Sequence, residues 1–148
     1  MNRLFLLYEY AETHNIDVDW FIMGETESFS TQLYDCSCAI AINPLKLCGE
    51  CDEAAKLAHE LGHCETGSFY CKNSTMDERG RCEERANRWA IKKLLPFKEM
   101  EEAVKNGCID TYELSEYFSV PEKMICDAIK YYTQTCGFKF KNFFIDYC

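Results

Sequence analysis

LAHELGH, Leu57–His63, is the stretch from which the rest of the chain is read. If it is helical, His59 and His63 stand one turn apart on the same face, close enough for both imidazoles to reach one metal ion. Glu60 sits beside them, over the open side of such an ion, where a carboxylate can take a proton from water. Ala54, Leu57, Ala58, Leu61 and Cys64 follow helical apolar spacing, so the segment is expected to be a core helix, not a loop. Histidines at this spacing also occur on solvated helix faces. Here, though, the chain has only three histidines and two of them fall in this heptapeptide. Zinc suits the pattern, having no redox chemistry and accepting nitrogen and oxygen ligands.

A third ligand is found one helix further on. The motif helix should run from about Asp52, whose carboxylate can cap it, to Glu65, with Thr66-Gly67 ending it. Ser74 or Asp77 can cap a second long helix that reaches Leu95, where Pro96 stops it. Its inward stripe is Ala86, Asn87, Ala90, Ile91 and Leu94, and Glu83 extends that stripe by one turn. A carboxylate on an apolar face needs a partner, because an unpaired buried charge is very costly. Metal on His59 and His63 would be that partner. Glu84 points elsewhere and lies four residues before Arg88, the orientation of a surface ion pair. His59, His63 and Glu83 leave the fourth tetrahedral position to water, with Glu60 as the base, which is the H-E-x-x-H logic of zinc peptidases. Tyr70 is the candidate donor to an oxyanion, against the ordinary alternative of a buried core tyrosine.

The remaining chain supplies a scaffold. Leu4, Leu7, Tyr8 and Ala11 predict a helix over residues 2–13, with His14 engaged at its end. Ile16, Val18 and Trp20 alternate as in a strand or an extended connector. Residues 28–34 and 38–43 read as strands joined by a turn at 35–37, with Cys36 and Cys38 in phase as buried core thiols. Cys48-Gly-Glu-Cys51 could be a redox pair or half a zinc site, but no thioredoxin pattern surrounds it, so free thiols are expected. Residues 97–134 are expected to form a helix-turn-helix-like packing module within a domain spanning 1–134. Four lysines and no arginine against eight acidic residues give this stretch the wrong sign for reading DNA. Residues 135–148 form an aromatic tail, in which Phe138 to Lys141 alternate in strand fashion.

Composition sets the outer limits. A chain of 148 residues is one domain by prior, and its formal charge of -9 disfavours nucleic acid and anionic membrane as partners. The apolar run Leu4–Tyr8 is too short for a signal segment or a span, so a cytoplasmic chain with reduced thiols is expected despite eleven cysteines.

Assembled in order, DVDWF (17–21), IAINPLKL (40–47), DEAAKLAHELGHCETGSFY (52–70) and EERANRWAIKKLLPF (83–97) resemble the ImmA/IrrE family of zinc metallo-endopeptidases, particularly its short phage-type and mobile-element members. The resemblance runs from about Leu4 to Tyr132. It implies an α+β, zincin-like domain, mainly helical around a short sheet, with the HExxH helix beneath it. It also implies Zn2+ on His59, His63 and Glu83, with Glu60 as catalytic base. Its members characteristically cleave a helix-turn-helix repressor, so a repressor-type transcription regulator is the substrate the resemblance suggests. The alternative is a non-catalytic zinc-containing module that binds such a regulator. The cysteines and the aromatic tail depart from the family pattern.

Overall fold

Asn2 begins the first helix, Arg3–Thr13 (α1), its side-chain oxygen accepting the Leu4 amide at 2.9 Å. Leu7 and Ala11 bury its inner face, and His14 closes it by donating from Nδ1 to the Tyr10 carbonyl. In this computed structural model, which describes residues 2–140, three strands follow: Ile16–Trp20 (β1), Ser28–Gln32 (β2) and Cys38–Ile42 (β3). Helices Glu50–Thr66 (α2), Met76–Leu94 (α3), Phe97–Lys105 (α4), Thr111–Phe118 (α5) and Glu122–Lys130 (α6) complete an α+β fold.

The sheet order is β1-β3-β2, with β1 parallel and β2 antiparallel to β3. Its register aligns Val18, Ile40 and Ser30 in one row, and Trp20, Ile42 and Ser28 in the next. Ile40 and Ile42 are buried on the face these rows share, whereas Ala39 and Ala41 lie on the other face. Helix α2 lies against β2 and β3, and its Ala54, Leu57, Ala58 and Leu61 are all at most 1 % exposed. Burying four such side chains stabilises the domain by several kcal/mol in order of magnitude. Glu53, also buried on α2, accepts a hydrogen bond from the Tyr8 hydroxyl, which itself accepts from Trp20 Nε1 at 3.1 Å.

Three local expectations are corrected. Cys36 is exposed, not core: Asp35 Oδ1 accepts the Ser37 amide at 3.0 Å, and this turn throws Cys36 to φ +67°, out of phase with β3. Asp52 does not cap α2, which starts earlier behind Gly49; its carboxylate takes the Cys48 amide and Lys56. Neither Ser74 nor Asp77 caps α3. Thr75 Oγ1 accepts the Glu78 amide at 3.2 Å while Glu78 Oε2 accepts the Thr75 amide at 2.8 Å, a reciprocal capping box. The ten described cysteines are all free.

The chain divides into two compact units between Ala90 and Ile91. In the second, α5 and α6 are joined through Ser119 in the left-handed region, and the Tyr132 hydroxyl donates to the Leu95 carbonyl at 2.8 Å. Phe138 and Phe140 do not form a strand; both rings lie against Phe97, with centroids 4.4 and 4.9 Å away. Lys141 and the rest of the tail to Cys148 lie outside the described residues. Among the described residues no helix is long and apolar enough to cross a membrane.

Candidate metal centre

Helical spacing places His59 and His63 on one face of α2, with their Nε2 atoms 3.1 Å apart. Glu83 reaches them from α3, one oxygen 3.1 Å from His59 Nε2 and the other 3.4 Å from His63 Nε2. The approach is close because residue 62 is glycine: a Cβ there would stand 2.5 Å from the Ala86 carbonyl oxygen of α3. Glu84 turns away and pairs with Arg88 at 2.5 Å.

Each imidazole is oriented from behind. His59 Nδ1 lies 2.8 Å from Asn87 Oδ1, and His63 Nδ1 lies 2.7 Å from the Ser68 carbonyl oxygen. Both partners can only accept, so each Nδ1 carries a proton and each Nε2 faces the site. The Ser68 carbonyl is brought there by the helix end: Gly67 takes φ +61° and the Ser68 amide donates to the His63 carbonyl at 3.1 Å. Asn87 is one turn beyond Glu83 on the same face, so one helix supplies both a carboxylate and the support for a histidine.

Two imidazole nitrogens and a carboxylate thus converge, a donor set that suits a divalent cation such as zinc. The spacing fits one. Bonds of about 2.0–2.1 Å at tetrahedral angles place ligand atoms roughly 3.3 Å apart, close to the separations between the histidine nitrogens and Glu83. Among the described residues, these three form the only such group of histidine, cysteine and acidic side chains. Cys64, next to His63, is not part of it; burial and the hydrogen bond with Cys38 push its thiol pKa up, away from the thiolate a metal requires.

Tyr70 is not a core residue. It is 45 % exposed, and its hydroxyl donates to Glu83 Oε1 at 2.7 Å. That bond, with burial second, pushes its pKa up to about 12, so the hydroxyl keeps its proton at neutral pH. Arg79 stacks over the ring at 5.6 Å while donating to the Lys72 and Ser74 carbonyls, which pins the loop that carries Tyr70. Glu60 is 5 % exposed, and each of its oxygens accepts a serine hydroxyl from β2, Ser28 and Ser30, both at 2.6 Å. The sequence alone gives no role to either serine, to Asn87 or to the Ser68 carbonyl. Only Asn87 carried a signal, as a polar residue on an otherwise apolar stripe.

The model of the IrrE N-terminal-like domain family, Peptidase_M78, matches residues 40–130. Among curated proteins none matches the chain. Of solved structures, a Mycobacterium tuberculosis transcriptional regulator is similar in fold, with a TM-score of 0.66 at 16 % identity, over 88 % of this chain and 41 % of that one. The chain therefore spans about two fifths of that protein's length.

Proposed function

We propose a function on the premise that this chain belongs to the Peptidase_M78 family of IrrE N-terminal-like domains: it is a zinc-dependent endopeptidase that cleaves a regulatory protein. The observation that carries the reading is the convergence of His59, His63 and Glu83 on one point, with Glu60 adjacent on the same helix. In this reading His59, His63 and Glu83 hold the ion. Zinc held there supplies Lewis acidity to a carbonyl and to water.

The protein's own groups do the rest. Asn87 and the Ser68 carbonyl keep both Nε2 atoms aimed at the site. Glu60 takes the proton from the attacking water and returns it to the leaving amine, so the peptide bond breaks with no net proton change on the enzyme. The Tyr70 hydroxyl, which in the structure donates to Glu83, turns that one proton to the oxygen that gains charge in the tetrahedral intermediate. An extended substrate lies along the edge of β2 that β3 does not occupy, where backbone groups can pair with it. A helix-turn-helix repressor is the substrate class we favour, and the enzyme acts in the cytoplasm.

Zinc content and cleavage of a candidate repressor encoded beside the gene test this together. One zinc per chain, lost in His63→Ala, with cleavage lost but zinc kept in Glu60→Gln, is the expected result. Zinc unchanged in His63→Ala removes the site. A repressor bound but uncut by the zinc-loaded protein favours a non-catalytic binding module instead.

A further inference from the structure

We propose that Ser28 and Ser30 are positioning residues that hold the Glu60 carboxylate in its working orientation, an inference that rests on the peptidase reading above. Strand β2 reverses the usual polarity of a half-buried strand. Ser30 is 8 % exposed on the face toward α2, whereas Phe29 is 55 % exposed on the opposite face. A strand that served packing alone would put the phenylalanine inside. The inward hydroxyls instead meet the two oxygens of one carboxylate, one each, at 2.6 Å. That is the short range of charge-assisted hydrogen bonds, which are about twice as strong as neutral ones.

The clamp is anchored in the sheet, not in a loop. Ser28 sits opposite Ile42 and Ser30 opposite Ile40, and both isoleucines are at most 2 % exposed, so the hydroxyls inherit the rigidity of the central strand. A glutamate has three side-chain torsions, and fixing both oxygens removes most of that freedom before substrate arrives. The substrate-facing edge and the clamp belong to one strand, so a peptide docked on β2 rests on the element that aims the base.

The test compares Ser28→Ala/Ser30→Ala with Ser28→Thr/Ser30→Thr, which restores both hydroxyls. Zinc stoichiometry, kcat and KM on a cleaved repressor are read together with the Glu60 carboxyl carbon resonance, assigned in 13C-glutamate-labelled protein by its loss in Glu60→Gln. We expect the alanine pair to keep one zinc per chain and a KM within about twofold, to lose about 10- to 100-fold in kcat, and to shift the Glu60 resonance. The threonine pair should recover most of each. An unmoved resonance, a wild-type kcat in the alanine pair, or loss of zinc and fold in both pairs would each overturn the proposal. If the wild-type protein cuts no regulator, the peptidase reading fails alone, and the resonance still decides whether the serines hold Glu60.

Discussion

Replacing Gly62 by alanine sets two effects of known size against each other. Alanine is better than glycine in a helix interior by roughly 1 kcal/mol, so on propensity alone α2 gains. The new Cβ, however, would stand 2.5 Å from the Ala86 carbonyl oxygen and 2.9 Å from its Cα, both backbone atoms that cannot rotate away. Ordinary contact starts at 3.4 Å, so α3 must retreat by about 0.9 Å at this point. Overpacking of this kind costs about 1–3 kcal/mol, leaving a net loss of roughly 0–2 kcal/mol after the propensity gain. The larger consequence is at the metal. Glu83 rides on α3 while both histidines ride on α2, and metal-ligand distances tolerate only about 0.2 Å. Zinc affinity is therefore expected to fall at least about tenfold, read by competition with a chromogenic chelator and by the zinc-dependent shift in Tm. Gly80→Ala is the control: it lies on α3 with nothing within 4 Å of the added Cβ, so it should stabilise modestly and bind zinc as before. Wild-type zinc affinity in Gly62→Ala would show that the close approach of the two helices does not set the ligand spacing.

Three further outcomes are expected. Glu83→Ala should abolish zinc binding at stoichiometric concentrations, whereas Glu84→Ala should lose only the exposed Arg88 pair and change stability by less than about 1 kcal/mol; zinc lost with Glu84 instead would reverse the ligand assignment. Asn87→Leu leaves the His59 Nδ1 proton without its acceptor and should weaken zinc binding about 10- to 100-fold, measurable by calorimetry. At alkaline pH, burial and then the Glu53 hydrogen bond hold Tyr8 near pKa 12 in the folded protein, against about 10 when unfolded. The unfolded chain gives up this proton first, so the contribution is intact below pH 10 and is lost as pH rises towards 12. Tyr8→Phe should flatten that part of the stability profile in urea melts, and an unchanged slope would contradict it.

The parts of the site that one helix carries were legible in the sequence. That His59 and His63 share one face of α2 follows from their spacing, and that Glu83 meets them while Glu84 turns away follows from which residue continues the apolar stripe of α3. What could not be read depends on partners distant in the chain. Nothing local to Ser28 and Ser30 says that their hydroxyls meet a carboxylate thirty residues away; that needs the register of β2 against β3 and the seat of α2 beneath both. The parallel pairing of β1 with β3, which leaves β2 at an edge, is non-local in the same way. Cys36 departs from the core for a local reason: the Asp35 side chain closes a turn that breaks the period-two alternation leading into β3. At the start of α3 the reciprocal pair Thr75 and Glu78 satisfies two amides at once, where Ser74 or Asp77 alone would satisfy one.

The meeting of His59, His63 and Glu83 also bears on how long the protein lasts. Both histidines ride on α2 and Glu83 on α3, and they face each other where Gly62 brings the two helices close. With an ion the same atoms tie them together, and at a free concentration a thousand times the dissociation constant the folded state gains about 4 kcal/mol. Most single domains have only about 5–15 kcal/mol in total. With zinc as the proposed ion, its supply would govern the survival of the chain against unfolding and proteolysis as well as its proposed chemistry, and a shortage would remove the protein rather than merely idle it.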